Sequence, residues 1–301
     1  MLYYLIGSWS SQLERAGWGF VAELVRYLTF RAAAASLTAF LLCVWLGPRA
    51  IRWLGNRWCE PIGGDSERLV QMHRGKRNTP AMGGTFVLAA LVTATLLWGN
   101  PLNIFVVLGL LTGLGFGVLG AVDDLIKLSG KRRGLLEHEK LWGQTAIGLT
   151  VGTALYWVMR TTPCGTQLAL PVWPACVSLG CWMIPWAAFV LAGTSNAVNL
   201  TDGLDGLASG CLVFSGVAVG ILDYVGGHAQ WAAYLSVPFV PGCGELAVLM
   251  GAMVGATLVF LWFNCYPAEV FLGDTGSLSL GGLLGYSALV ARQELLLVIA
   301  G

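Results

Sequence analysis

Long apolar runs separated by short polar segments dominate the chain from residue 32 onward. A helix crosses a bilayer with about 20 mostly apolar residues. Eight runs approach that length: 32–54, 82–98, 102–122, 142–159, 177–195, 204–222, 246–263 and 277–290. A ninth opens at Leu295 and reaches Gly301, too short to span. Residues 17–28 predict a short helix lying on the membrane surface. Residues 161–174 combine prolines with Gly165 and predict an extended or hairpin loop. The pattern predicts an all-α polytopic membrane protein. It has about eight complete transmembrane helices plus the start of a ninth, in one integral membrane domain over 1–301. Residues 1–31 form an N-terminal segment. There is no internal repeat of the kind many transporters carry.

Composition agrees. The chain is 56% hydrophobic and 11% charged, with mean hydropathy +0.71. A soluble domain is about a quarter charged, so these charges are too few to coat a water-facing surface. The net charge of +1 gives no basic excess for nucleic acid. The N-terminus lacks the positive segment of a signal peptide. Eight cysteines are scattered without C-x-x-C spacing, which removes a zinc or redox motif. Cys164 and Cys176 share one loop and are a candidate disulfide if that loop is extracytoplasmic.

Charge sets the orientation. Twelve of the 17 basic residues fall in segments 49–77 and 127–140, and the positive-inside rule puts both in the cytoplasm. Counting helices onward brings 196–203 and 264–276 to the same face. Four polar motifs therefore converge there. Gly109, Gly113, Gly115, Gly117 and Gly120 instead predict close helix packing.

Carboxylates beside hydrocarbon are costly and point to function. Asp123 and Asp124 end an apolar helix, where the helix dipole disfavours negative charge. They suit a divalent cation or a proton, or are a solvated helix end. Asp202 and Asp205 are three apart, and Asn196 and Asn199 continue that spacing upstream. On a helix these make one polar stripe, and Asp202 is alternatively an N-cap for a helix starting near Gly203. Asp274 lies between glycines before an apolar helix, whose free N–H groups are a ready phosphate site. The segment 73–84 carries His73, Arg74, Lys76 and Arg77 ahead of Thr79 and Pro80. It anchors to lipid headgroups or contacts phosphate, with Thr79 capping a helix that has Pro80 at its first position. Acids for Mg²⁺, lysines for phosphates and amides for a polar ligand together suit phosphoryl transfer.

Four ordered motifs carry a resemblance: H-x-x-K-x-x-T-P-x-M-G-G from His73, D-D-x-x-K from Asp123, NAVNLTDGLDGLA from Asn196, and FNCYPAEVFLGDTGSLSLGG from Phe263. The chain resembles the polyprenyl-phosphate N-acetylhexosamine-1-phosphate transferases, in particular their phospho-N-acetylmuramoyl-pentapeptide branch. The resemblance implies Mg²⁺-dependent transfer of phospho-MurNAc-pentapeptide from UDP-MurNAc-pentapeptide to undecaprenyl phosphate, giving lipid I and UMP. The implied setting is the bacterial cytoplasmic membrane, with the site facing the cytoplasm; a homodimer is compatible with it. By motif position, Asp274 is the implied metal ligand. Asp123 and Asp124 serve lipid phosphate or metal, with one a candidate base. Lys76, Thr79, Lys127 and Lys140 serve phosphate. Asn196, Asn199, Asp202, Asp205, Asn264 and Phe271 shape the nucleotide side, with Phe271 set to stack on uracil. The acceptor needs no strong base, because a phosphate monoester has its second pKa near 6. Members of that family continue through one or two further helices and a histidine-rich cytoplasmic segment, so the expectation is a truncated C-terminus. The alternatives are a sibling transferase for another UDP-sugar, or an ion-coupled transporter with acids near helix midpoints.

Overall fold

The structure is a computed structural model. It describes residues 19–56, 79–129, 134–162, 165–170 and 176–300, with isolated positions at 6, 9, 15 and 132. Its helices in chain order are α1 Gly19–Arg26, α2 Leu28–Gly55, α3 Gly84–Trp98, α4 Ile104–Leu128, α5 Glu137–Met159, α6 Met183–Thr201, α7 Leu207–Gly226, α8 Ala229–Tyr234, α9 Leu246–Asn264, α10 Gly273–Val290 and α11 Leu297–Ala300. Between α5 and α6, β1 Gln167–Ala169 pairs antiparallel with β2 Cys176–Ser178.

All eight predicted runs are helical for most of their length. Five helices are long and apolar enough to cross a membrane: α2, α4, α6 with its preceding turn, α7, and α9 with its preceding turn. Helix α3 is apolar but shorter, while α5 carries Glu137, Glu139 and Lys140 near its start. Helix α10 is the interior of the bundle: every residue from Asp274 to Val290 is buried. It packs on α4 and α6, and α9 packs on α2 and α7. Many large apolar side chains of the outer helices, among them Trp45, Val118, Phe189, Phe214 and Trp262, point outward. An exposed apolar jacket around a closed core is what a bilayer solvates.

Three boundaries differ from the sequence reading. The start of the fifth run, at Val177, lies in strand β2, so α6 opens later, at Met183. Helix α4 runs on to Leu128, which places Asp123 and Asp124 inside its last turns rather than after it. Thr79 and Pro80 do not begin a helix, since α3 starts at Gly84. Their stretch instead docks on the segment before α10. Phe271 N donates to Pro80 O (2.9 Å), Gly83 N to Phe271 O (2.8 Å), and Gly84 N to Leu272 O (2.8 Å). Met82 sits at φ 67 in this crossing, a costly angle for a side chain with a Cβ. The candidate Cys164–Cys176 pairing lies outside the described residues because Cys164 is not among them.

Glycines let this core close. A Cβ on Gly84 would fall 2.1 Å from Gly276 Cα, and one on Gly120 would fall 2.2 Å from Asp274 O. Backbones at that range exclude any side chain. Gly109, Gly113 and Gly117 also face side chains at under 3.0 Å, whereas Gly115 meets Ile147 at an ordinary 3.5 Å.

Candidate active site

The C-terminal ends of α4 and α6, the N-terminal ends of α5 and α10, and the loops before α7 and α10 meet at one end of the bundle. Lys127 lies one turn after Asp123 on α4, and its Nζ bridges Asp123 Oδ2 at 3.0 Å and Asp274 Oδ2 at 3.1 Å. Lys140, from the first turns of α5, reaches the same Asp274 oxygen at 2.7 Å and Asp123 Oδ2 at 3.8 Å. The other Asp274 oxygen accepts from Asn199 Nδ2 at 2.7 Å. Asn199 Oδ1 accepts from Lys140 Nζ at 3.2 Å, and Asn199 Nδ2 also donates to Ser277 Oγ at 2.8 Å. Asp123, Lys127, Lys140, Asn199 and Asp274 thus form one connected network from four helices.

The loop ahead of α5 closes over Asp123. Leu135 N donates to Asp123 Oδ1 at 2.5 Å. Gly134 takes φ +114 there, and a Cβ on it would stand 2.7 Å from that same oxygen. Glycine alone tolerates both conditions.

Asp124 behaves differently from Asp123. Its Oδ1 accepts from Asp274 N (3.1 Å), and its Oδ2 from Thr275 N (2.9 Å) and Thr275 Oγ1 (2.7 Å). The free N–H groups at the start of α10, expected to receive a phosphate, are therefore already taken by a carboxylate. The acid that looked misplaced at the end of α4 lies against the favourable end of another helix dipole.

The expected polar stripe divides. Asn196 and Asn199 lie on α6, but Asp202 is its C-cap residue, at φ −76 and ψ 33, and 202–206 is a turn. Gly206 at φ +78 precedes α7, so Asp202 caps neither α7 nor any helix starting near Gly203. Glycines at 203 and 206 break the helical spacing on which the stripe depended. Asp202 still approaches the network, accepting from the Gly273 backbone. Burial, then the negative charges of Asp274 and Asp124, push its pKa up to about 7. Asn196 sits one turn further in and pairs amide to amide with Gln144, at 2.8 and 3.0 Å.

Asn264, at the end of α9, and Asp205, Thr79 and Phe271, on loops, form a neighbouring layer. Asn264 is buried, and its amide is engaged internally. Its Oδ1 accepts from Gly206 N and Ser209 Oγ, and its Nδ2 donates to Val270 O, each at 3.0 Å. Asp205 Oδ2 accepts from Ala268 N at 3.4 Å, and Thr79 Oγ1 donates to Ala268 O at 3.4 Å. Phe271 is half-buried at the crossing with Pro80. Lys76, with the rest of the basic segment, lies outside the described residues. Sequence reasoning gave no role to Thr275, Ser277 or Gln144. Helical spacing of three from Asp274 would have found Ser277, but the partners of the other two come from distant helices.

Charge tests whether the site suits a cation. Among the described residues, Asp123 and Asp274 meet Lys127 and Lys140, while Asp124 and Asp202 add two further acids close by. Counted over those residues, acids outnumber lysines in the cluster, which keeps carboxylate oxygens to offer a cation. Among the described residues no three acidic, histidine or cysteine side chains meet at one point. The two carboxylates that share Lys127 are a donor set of the kind that fits Mg²⁺, an ion that binds through one or two carboxylates plus substrate phosphates.

The family model of glycosyl transferase family 4 matches residues 105–292. The chain is 43% identical to the phospho-N-acetylmuramoyl-pentapeptide-transferase of Oleidesulfovibrio alaskensis, over all of this chain and 81% of that relative. The chain belongs to this transferase family. The match to the transferase of the same name from Pelobacter propionicus is 44%, over 82% of its length. For Thermodesulfovibrio yellowstonii it is 40%, over 81%. The family match takes in α4, whose end bears Asp123, Asp124 and Lys127, and runs past α10, which bears Asp274.

Proposed function

We propose that the protein transfers phospho-MurNAc-pentapeptide from UDP-MurNAc-pentapeptide to undecaprenyl phosphate in a bacterial cytoplasmic membrane, from the cytoplasmic face. One observation carries this reading. Two carboxylates and two lysines converge at one end of a membrane bundle, in a chain whose relatives bear the name of that reaction. The reaction forms a bond from an acceptor phosphate oxygen to the sugar-bearing phosphorus of the donor. It breaks the bond from that phosphorus to the bridging oxygen, and UMP leaves. The acceptor monoester is largely ionised near neutral pH, so the protein's task is positioning and charge neutralisation.

Lys127 and Lys140 place two ammonium groups where the phosphates of donor and acceptor would meet. Asp274 and Asp123 would hold Mg²⁺, which supplies charge neutralisation on the phosphates when bound. Asn199 orients Asp274 through its amide. Asp202 and Asp205, on the turn beside the network, and Phe271 are the candidates for the nucleotide side. Asn196 and Asn264, with their amides engaged internally, act through the loops and helices they hold.

The test uses the full-length gene product purified in detergent. Asp274→Asn is expected to lower UMP release by about 10²–10³-fold, as loss of a group that stabilises transition-state charge does, while the melting temperature shows a folded protein. Unchanged turnover would sink the assignment. Turnover with UDP-N-acetylglucosamine in place of the muramoyl donor would move the chain to a sibling transferase.

A further inference from the structure

Helix α10 begins without a cap of its own: Leu272 is its N-cap residue and supplies no side-chain hydrogen bond. The first N–H groups of any helix need partners from elsewhere. Here the N–H groups of Asp274 and Thr275 are met by Asp124, on α4 and 150 residues before Asp274 in the chain. Three donors of α10 fill its carboxylate: Asp274 N, Thr275 N and Thr275 Oγ1. A carboxylate has about four lone-pair sites, so little of it is left for another ligand, and the residue is only 4% exposed. Its surroundings are built for the contact. Gly273 takes φ +74, and a Cβ on it would stand 2.9 Å from Asp124 Oδ2. Gly120, one turn before Asp124, lets α4 lie directly against the Asp274 carbonyl.

We infer that Asp124 and Thr275 form a clamp between α4 and α10 that sets the Asp274 carboxylate, and that both are positioning residues for the transfer. This rests on the role proposed for Asp274. The clamp holds the Asp274 backbone from one side while Lys127, Lys140 and Asn199 meet its side chain from the other. Asp123, whose carboxylate meets the lysines, and Asp124, whose carboxylate meets a helix terminus, therefore divide an Asp-Asp pair into one site group and one support. Thr275 matters through its hydroxyl, which a valine of the same shape lacks.

The experiment measures UMP release by Thr275→Val, Thr275→Ser and Asp124→Asn against Mg²⁺ and donor concentration. Thr275→Val is expected to lower kcat about tenfold, the size of one hydrogen bond to a charged group. Its donor KM stays near wild type, its half-saturating Mg²⁺ rises, and Thr275→Ser restores both kcat and half-saturation. Adding Thr275→Val to Asp124→Asn costs little more, because the two act through one contact. Hydrogen exchange of the first turn of α10 should quicken in Thr275→Val and Asp124→Asn without any substrate. Thr275→Ala replaces the valine variant if that one does not fold. Additive losses, an unchanged kcat with only a lower melting temperature, or unchanged exchange would each overturn the clamp. If wild-type protein releases no UMP, the proposed function fails, and the exchange experiment still decides the clamp.

Discussion

The two ends of the helical bundle handle buried charge in opposite ways. At the end opposite the lysines, Arg31 of α2 meets Glu245, just ahead of α9, in two bonds of 2.8 and 2.6 Å. Asn100 N and Trp98 O complete the pair. Asp223 there is wholly buried and accepts from Ser287 Oγ and Cys243 Sγ. Each acid has its own donors. At the other end Asp123 and Asp274 share Lys127, Lys140 reaches both, and Lys127 keeps 28% of its side chain exposed. A closed pair resists change, whereas a shared and partly open set of acids and lysines can exchange partners with a charged ligand. Buried charge alone therefore does not mark the site; excess and access do.

The sharpest way to break this comparison is at the closed pair. Arg31→Met takes the guanidinium from the half-buried Glu245, which keeps Asn100 N, and is expected to cost about 1.5–3 kcal/mol of stability, the range for hydrogen bonds to a charged group. The kcat of the folded fraction stays at the wild-type value. Replacing both partners together, as Arg31→Met with Glu245→Leu, should recover most of the loss, because removing a whole buried pair is often neutral. Thermal melting and UMP release on the same samples separate the two quantities. If kcat collapses along with stability, the ends are not independent and the contrast between them fails.

A smaller effect should appear with pH at the open end. Asp202 has its pKa raised from 3.8 to about 7 by burial and by neighbouring acids. Between those values the folded protein holds a proton that the unfolded chain has released. Stability from this group is thus full below about pH 4 and is lost as pH rises through about 7. Subtracting the melting profile of Asp202→Asn from that of the wild type isolates the term. The wild type should lose stability relative to the variant across that window. Parallel profiles would mean that the excess negative charge at this end is compensated.

The bundle itself was legible in the sequence because its signal is local. Apolar runs of about 20 residues give the helices without any long-range information. The site was legible as a set of motifs, and Asp123, Lys127, Lys140, Asn199 and Asp274 do come together. What the sequence could not show is how each acid is engaged. The partner of Asp124 lies 150 residues away on another helix, so no spacing rule reveals its capping contact. The stripe through Asp202 and Asp205 failed for a local reason that can be read afterwards. Two glycines in five residues outweigh a three-residue repeat, and Gly206 takes a left-handed angle that ends helical periodicity.

The glycines of α4 give the same lesson at the smallest scale. All five share a helix and a composition, and sequence alone treats them as one packing surface. Gly120 faces the Asp274 backbone and has no room, while Gly115 has Ile147 Cγ2 at 3.5 Å from where a Cβ would stand. Gly115→Ala therefore adds a methyl at ordinary contact distance and removes the helix penalty of glycine. The expected result is wild-type UMP release and a stability change between zero and a gain of about 1 kcal/mol. Thermal melting of the variant in detergent is the measurement. A clear loss at Gly115 would mean that α4 and α5 pack more closely than these distances allow, and that the face of α4 toward α5 is as tight as the face that Gly109, Gly113 and Gly117 present.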